Sequence, residues 1–179
     1  LEDPTLMVTV YDLQSNCNSP RHIYVHPDGT IGAVATWSAI EAYTDRGTGY
    51  NYFDGTAWAP PPTARIESMR TGWPSYAAWG ANGECVVNHV SGTAPLKIST
   101  RATKGTGAWT TADIPSPSGN VGMLWPRMVT NGTDNMNIHV IALTAPTANG
   151  GTVYNGMDGC LLYNRSLNGG TTWEGWQQL

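Results

Sequence analysis

The fold is read from Trp73-Pro74-Ser75-Tyr76-Ala77-Ala78-Trp79-Gly80-Ala81-Asn82-Gly83-Glu84-Cys85-Val86-Val87-Asn88-His89-Val90. Pro74 has no N–H to give a sheet ladder, so it suits the head of a strand or a bulge. A short apolar run follows it and ends at Asn82-Gly83, a dipeptide that tolerates φ > 0 and favours a two-residue hairpin. Past the turn, Cys85 to Val90 is rich in β-branched and apolar residues and reads as a second strand. The stretch predicts a hairpin.

The same pattern recurs on both sides. Ser19-Pro20-Arg21 begins one copy and Trp125-Pro126-Arg127 another, with prolines 54 and 52 positions from Pro74. A turn residue stands nine positions after each proline: Gly29, Gly83 and Asn135. Second strands are expected over Ile31 to Trp37, Cys85 to Val90 and Ile138 to Leu143, and third strands over Tyr50 to Phe53, Leu96 to Thr100 and Gly159 to Arg165. Each third strand leads through a glycine turn to Trp58, Trp109 or Trp173, where a fourth strand would start. A four-stranded antiparallel meander repeated at a period near 50 is the signature of β-propeller blades. The expectation is therefore an all-β propeller segment of about three four-stranded blades. Since a ring takes roughly four to eight blades, this would be half of a six-bladed ring, or a segment completed by a second copy. Residues 1–18 would supply an outer strand of a preceding or closing blade, and 19–72, 73–124 and 125–179 the three blades.

Composition agrees with that class. The 179 residues can bury one ordinary core. Charged residues are 12% of the chain, about half the usual share, while Gly (21), Pro (12) and Trp (8) are abundant, which argues against coiled coils, helical bundles and charged disorder. With a net charge of −4 and only two lysines, Lys97 and Lys104, there is no basic stripe for nucleic acid. Apolar runs are too short to span a bilayer. The opening Leu1-Glu2-Asp3-Pro4 reads as mature or excised material, and low lysine with abundant Thr, Asn and Gly suits a secreted or cell-surface bacterial protein. Cys17, Cys85 and Cys160 have no C-x-x-C spacing; one disulfide with a spare thiol and three buried cysteines both remain open.

One motif carries a resemblance. Ser166-Leu167-Asn168-Gly169-Gly170-Thr171-Thr172-Trp173 matches the pattern Ser-x-Asp-x-Gly-x-Thr-Trp, with Asn168 in place of Asp, and Asn51 to Trp58 and Ala102 to Trp109 are weaker copies. The chain resembles the Asp-box, sialidase-type β-propeller superfamily, and the propeller modules of exported bacterial surface proteins. The resemblance implies that Ser166, Asn168, Gly170, Thr172 and Trp173 form a folding element rather than a catalytic one. It also raises a sialidase-type glycoside hydrolase, which needs an arginine clamp, a Tyr–Glu nucleophile pair and an acid/base. Arg21 and Arg127 follow equivalent prolines, but the third equivalent is Ser75.

No other catalytic motif is present, and no cofactor or metal is expected. His22 and His26 would lie about 13 Å apart along a strand, too far for one ion. The aromatic residues are the better lead. Trp73 and Trp125 precede the blade prolines, and Trp37 and Tyr43 flank a loop bearing Glu41, Asp45 and Arg46. Such rings stack on sugars or anchor protein interfaces, although about two-thirds of the tryptophans are expected in the core. The sequence thus points to a non-enzymatic scaffold or adhesion module binding glycan or protein through Arg21, Arg127, Trp37, Tyr43, Trp73 and Trp125, with a sialidase-type hydrolase as the alternative. Asn131-Gly-Thr and Asn164-Arg-Ser match the N-glycosylation triplet.

Overall fold

The computed structural model describes residues 4–14, 20–90, 94–119 and 121–179. Strands β1 (Ile23–Val25), β2 (Ile31–Trp37) and β3 (Gly47–Phe53) form a first sheet. A second sheet holds β4 (Gly72–Trp79), β5 (Gly83–His89), β6 (Leu96–Arg101) and β7 (Thr110–Ile114). A third holds β8 (Met123–Asn131), β9 (Asn137–Thr144), β10 (Leu161–Ser166) and β11 (Gln177–Gln178). Every pairing among the described strands is antiparallel between chain neighbours, and for β4–β5 and β8–β9 the short turns after Trp79 and Asn131 permit nothing else. Among the described residues, no helix is long and apolar enough to cross a membrane.

The expected propeller is not formed. The described residues make three antiparallel sheets of three, four and four strands, and none closes. In the first sheet the fourth strand expected at Trp58 shrinks to an isolated bridge with Phe53. The last strand, β11, pairs with β10 of its own sheet rather than with the start of the chain. Leu6 to Gln14 contains no strand and is held at the end of β2, where Val10 N–H donates to Ser38 O at 2.9 Å and Gln14 Nε2 to Thr36 O at 2.8 Å. The reason is that the recurring proline, turn residue and tryptophan encode local hairpins, and nothing in them specifies a closed ring of sheets.

Two cores hold the sheets together. Between the second and third lie Ala77, Cys85, Val87, Leu96 and Ile98 against Met128, Ile138, Val140 and Leu162, all buried. Between the first and second, Val34, Tyr76 and Val86 pack with Tyr24, Tyr50 and Trp109. Cys85 and Cys160 are buried free thiols, and burial raises the Cys85 thiol pKa well above its ordinary value. Cys17 lies outside the described residues.

Candidate functional site

Proline decides the local geometry at Trp73 and Trp125. Pro74 and Pro126 cannot donate to the ladder, so β4 shifts register between Gly72 and Ser75, and β8 between Leu124 and Arg127. The preceding tryptophans take left-handed φ of 52° and 51°, a conformation that a bulky residue adopts only under tertiary constraint. Each freed amide is captured by the preceding sheet. Trp73 N–H donates to Thr36 Oγ1, and Trp125 N–H to His89 Nδ1, both at 3.1 Å.

That bond makes His89 Nδ1 an acceptor, so the ring is neutral with its proton on Nε2. His89 stacks on Trp73 with centroids 5.3 Å apart and meets Trp125 edge-on at 6.4 Å. Burial, reinforced by Arg46, Arg70 and Arg127, pushes its pKa down to about 3. A pKa lower in the folded than in the unfolded state gives stability that is complete above 6.5 and is lost as pH falls toward 3. His89→Gln is expected to flatten the fall of the urea midpoint across that window; an unchanged slope would assign the acid sensitivity to other groups.

Around this pair, Tyr11 contacts Tyr43 at 5.0 Å and Trp73 at 5.8 Å, and the Arg46 guanidinium sits 5.6 Å over Trp73. The structure therefore brings Tyr43, Trp73 and Trp125 into one aromatic cluster. Trp73 is only 7% exposed and Trp37 4%, so both pack rather than present a ring to solvent. Arg21 stands apart, exposed just ahead of β1 with its guanidinium 5.7 Å over Tyr24.

Arg127 leads from this cluster to a groove. Its guanidinium donates to Trp125 O and Pro126 O at 3.1 Å, and it lines a cavity of about 450 Å³ over the third sheet with Val129, Asn131, His139, Ile141 and Tyr163. Strand alternation puts these side chains on one face, with Arg127 opposite Ile141 and Tyr163 beyond it, and Val129 opposite His139. His139 stacks on Tyr163 at 6.1 Å and 23°, with Nδ1 bonded to Tyr163 Oη at 2.7 Å and Nε2 to Asn131 Oδ1 at 3.3 Å. Val129 is 45% exposed and Ile141 37%. The result is an apolar floor beside an aromatic plate rimmed by Arg, His and Asn.

The second sheet shows what is unusual here. Its corresponding register places Ser75 opposite Val87 with Ile98 beyond it, and Ala77 opposite Cys85, all buried. Arg127, His139 and Tyr163 thus stand where the covered sheet has Ser75, Cys85 and Ile98. Neither His139 nor Tyr163 stands out in the sequence as part of a binding site. Aligning the repeats position by position exposes the change from small or apolar to polar.

The described residues also contain an Arg–Tyr–carboxylate cluster, but it is sealed. Glu84 Oε2 accepts from Tyr50 Oη at 2.9 Å and from Tyr76 Oη, while Oε1 takes Arg101 Nε and Gly105 N–H. Glu84 and Tyr76 are fully buried, and burial and the Glu84 charge raise the pKa of both phenols far above the ordinary tyrosine value.

At the β10 end, Ser166 Oγ accepts Gly170 N–H at 2.8 Å and Asn168 Oδ1 accepts Thr172 N–H at 2.9 Å. Asn168 Nδ2 also donates to Thr172 Oγ1, a bond that an aspartate could not give. Trp173 packs on the core between the second and third sheets.

The sequence matches no protein-family profile and no curated protein. Among solved structures, the chain is similar to a protein of unknown function from Dyadobacter fermentans DSM 18053, at 13% identity and TM-score 0.56 over 87% of this chain and 49% of that one. The chain thus spans about half of that protein. It is also similar to a fucose lectin from Kordia zhangzhouensis, solved with methyl-fucoside, at 10% identity and TM-score 0.50 over 88% of this chain and 95% of the lectin. At such identities the likeness is one of all-β fold.

Proposed function

We propose that this chain is a carbohydrate-binding module whose ligand lies in the groove over the third sheet. The observation that carries the reading is the stacked His139–Tyr163 plate beside Arg127 and Asn131, above Val129 and Ile141. A sugar offers apolar C–H faces to an aromatic ring and hydroxyls to polar rims, which is what this groove supplies. The lectin neighbour supports the ligand class. Among the described residues the groove lining contains no carboxylate, whereas glycoside hydrolysis generally needs two, so the site favours binding over cleavage.

The test is calorimetry against methyl glycosides, methyl-fucoside included. Tyr163→Ala is expected to weaken binding by about tenfold or more, the scale of one lost stacking contact of ~1.5 kcal/mol. Equal affinity in wild type and variant sinks the groove. A mass of twice 19.2 kDa with the groove protected from glycosides would reassign this face to an interface between copies. The reading extends to an adhesive role outside a bacterial cell, which the low lysine content favours; recovery of the protein only from the cytosolic fraction would overturn that extension.

A further inference from the structure

The first and third sheets carry one asparagine in the same place. Asn51 accepts the N–H of Tyr52 on Oδ1 at 2.7 Å, and Asn164 accepts that of Arg165 at 2.8 Å. The outer turns match as well, since Ala59 N–H donates to Tyr52 O at 2.9 Å and Glu174 N–H to Arg165 O at 3.0 Å. The two amides differ in what meets their donors. Asn51 Nδ2 gives hydrogen bonds to Leu6 O and Ala59 O, so the segment ahead of the first sheet seals it.

Asn164 is only 1% exposed, yet its Nδ2 meets no acceptor among the described residues. The segment ahead of the third sheet, Pro115 to Ser118, stands off from it and leaves a pocket of about 200 Å³. Trp176 Nε1 fixes that segment by donating to Pro115 O at 2.6 Å. Two more buried polar atoms on the pocket wall also lack protein partners, Trp173 Nε1 and Ser116 Oγ. Native interiors seldom leave three such groups unsatisfied in one place. Tyr154 and Trp176 supply aromatic surface, and among the described residues no charged side chain lines the cavity.

We infer that this pocket between the second and third sheets is a second binding site, taking one neutral sugar residue whose oxygens accept from Asn164 Nδ2 and Trp173 Nε1. An uncharged lining selects against phosphates and carboxylates, because a bare anion in such a cavity loses its hydration without a counter-charge. Its volume suits a single ring rather than a chain. The inference shares with the groove reading only the class of ligand.

The test is amide and indole NMR on ¹⁵N-labelled full chain titrated with methyl glycosides of fucose, galactose, glucose, mannose and N-acetylglucosamine. The Asn164 side-chain and Trp173 indole signals are expected to shift saturably with at least one of them, and still to do so in Tyr163→Ala. Asn164→Asp keeps the oxygen that accepts from Gly175 and Arg165 but loses the donor, and is expected to bind about tenfold more weakly. Ser116→Ala gives a milder second variant should Asn164→Asp fold poorly. Signals that stay fixed across the panel, or a Trp173 indole that titrates in Asn164→Asp with the affinity of the wild type, overturn the pocket. Shifts confined to His139 and Tyr163 also overturn it while leaving the groove standing, and shifts at the pocket alone do the reverse.

Discussion

Glu84→Gln is expected to lower folding stability by about 3–5 kcal/mol, the range for removing one partner of a buried ion pair. The carboxylate is fully buried and takes four donors: Tyr50 Oη, Tyr76 Oη, Arg101 Nε and Gly105 N–H. Glutamine keeps the shape and removes the charge, which leaves the Arg101 guanidinium, packed 4.5 Å from both the Tyr50 and Trp109 rings, without its counter-ion. The amide would also turn an NH₂ toward groups that donate. Urea unfolding followed by tryptophan fluorescence gives the number. A loss below about 1 kcal/mol would show that water or a rearranged Arg101 satisfies the cluster, contrary to the burial seen here.

Gly32→Ala is expected to cost about 3 kcal/mol, at the upper end for overpacking. A Cβ on Gly32 would overlap the phenol end of Tyr76. That ring cannot retreat: its hydroxyl donates to Glu84, accepts from His26 Nε2 at 3.1 Å, and lies in the core between the first and second sheets. Since both substitutions act on Tyr76, the double variant should lose less than the sum of the singles, because groups sharing one network do not add. Additive losses would mean that the glycine is required for some other reason. A neutral result for Gly32→Ala would mean that the first sheet moves away from the second at little cost.

How much could be read from the chain itself divides along physical lines. The hairpins were legible because each rests on neighbouring residues. The turn between β4 and β5 falls just ahead of the expected Asn82-Gly83, at Gly80-Ala81-Asn82 with Gly80 at φ 64° and Gly83 already paired with Trp79, and Gly29 at φ 85° makes the turn between β1 and β2. The third strands also fall close to their expected places, with β6 at Leu96–Arg101 and β10 at Leu161–Ser166. Trp-Pro pairs were visible as landmarks, but their form as bulges whose amides are taken by Thr36 and His89 was not. Those acceptors lie 37 and 36 residues away, on other sheets.

The candidate site divides in the same way. The tryptophans before the blade prolines and the arginines after them stand out in the sequence, and the structure gathers Tyr43, Trp73 and Trp125 together while leaving Arg21 apart, beside Tyr24. The groove itself was missed, since His139 and Tyr163 become a pair only through the β9–β10 register, 24 positions apart in the chain. Asn164 was noticed as a glycosylation triplet. In the fold its side chain is only 1% exposed and lies on the wall of the crevice beside Pro115 to Ser118.

By itself the sequence determined an all-β chain of repeated antiparallel meanders, since strand alternation, turn chemistry and proline placement act over a few residues and leave a visible period. The tertiary structure alone decided that the sheets number three, four and four strands without closing, that the Arg–Tyr–Glu cluster is sealed, and which face and crevice stay open. Those outcomes depend on which surface packs against which across distant segments, and a local pattern holds no record of that choice.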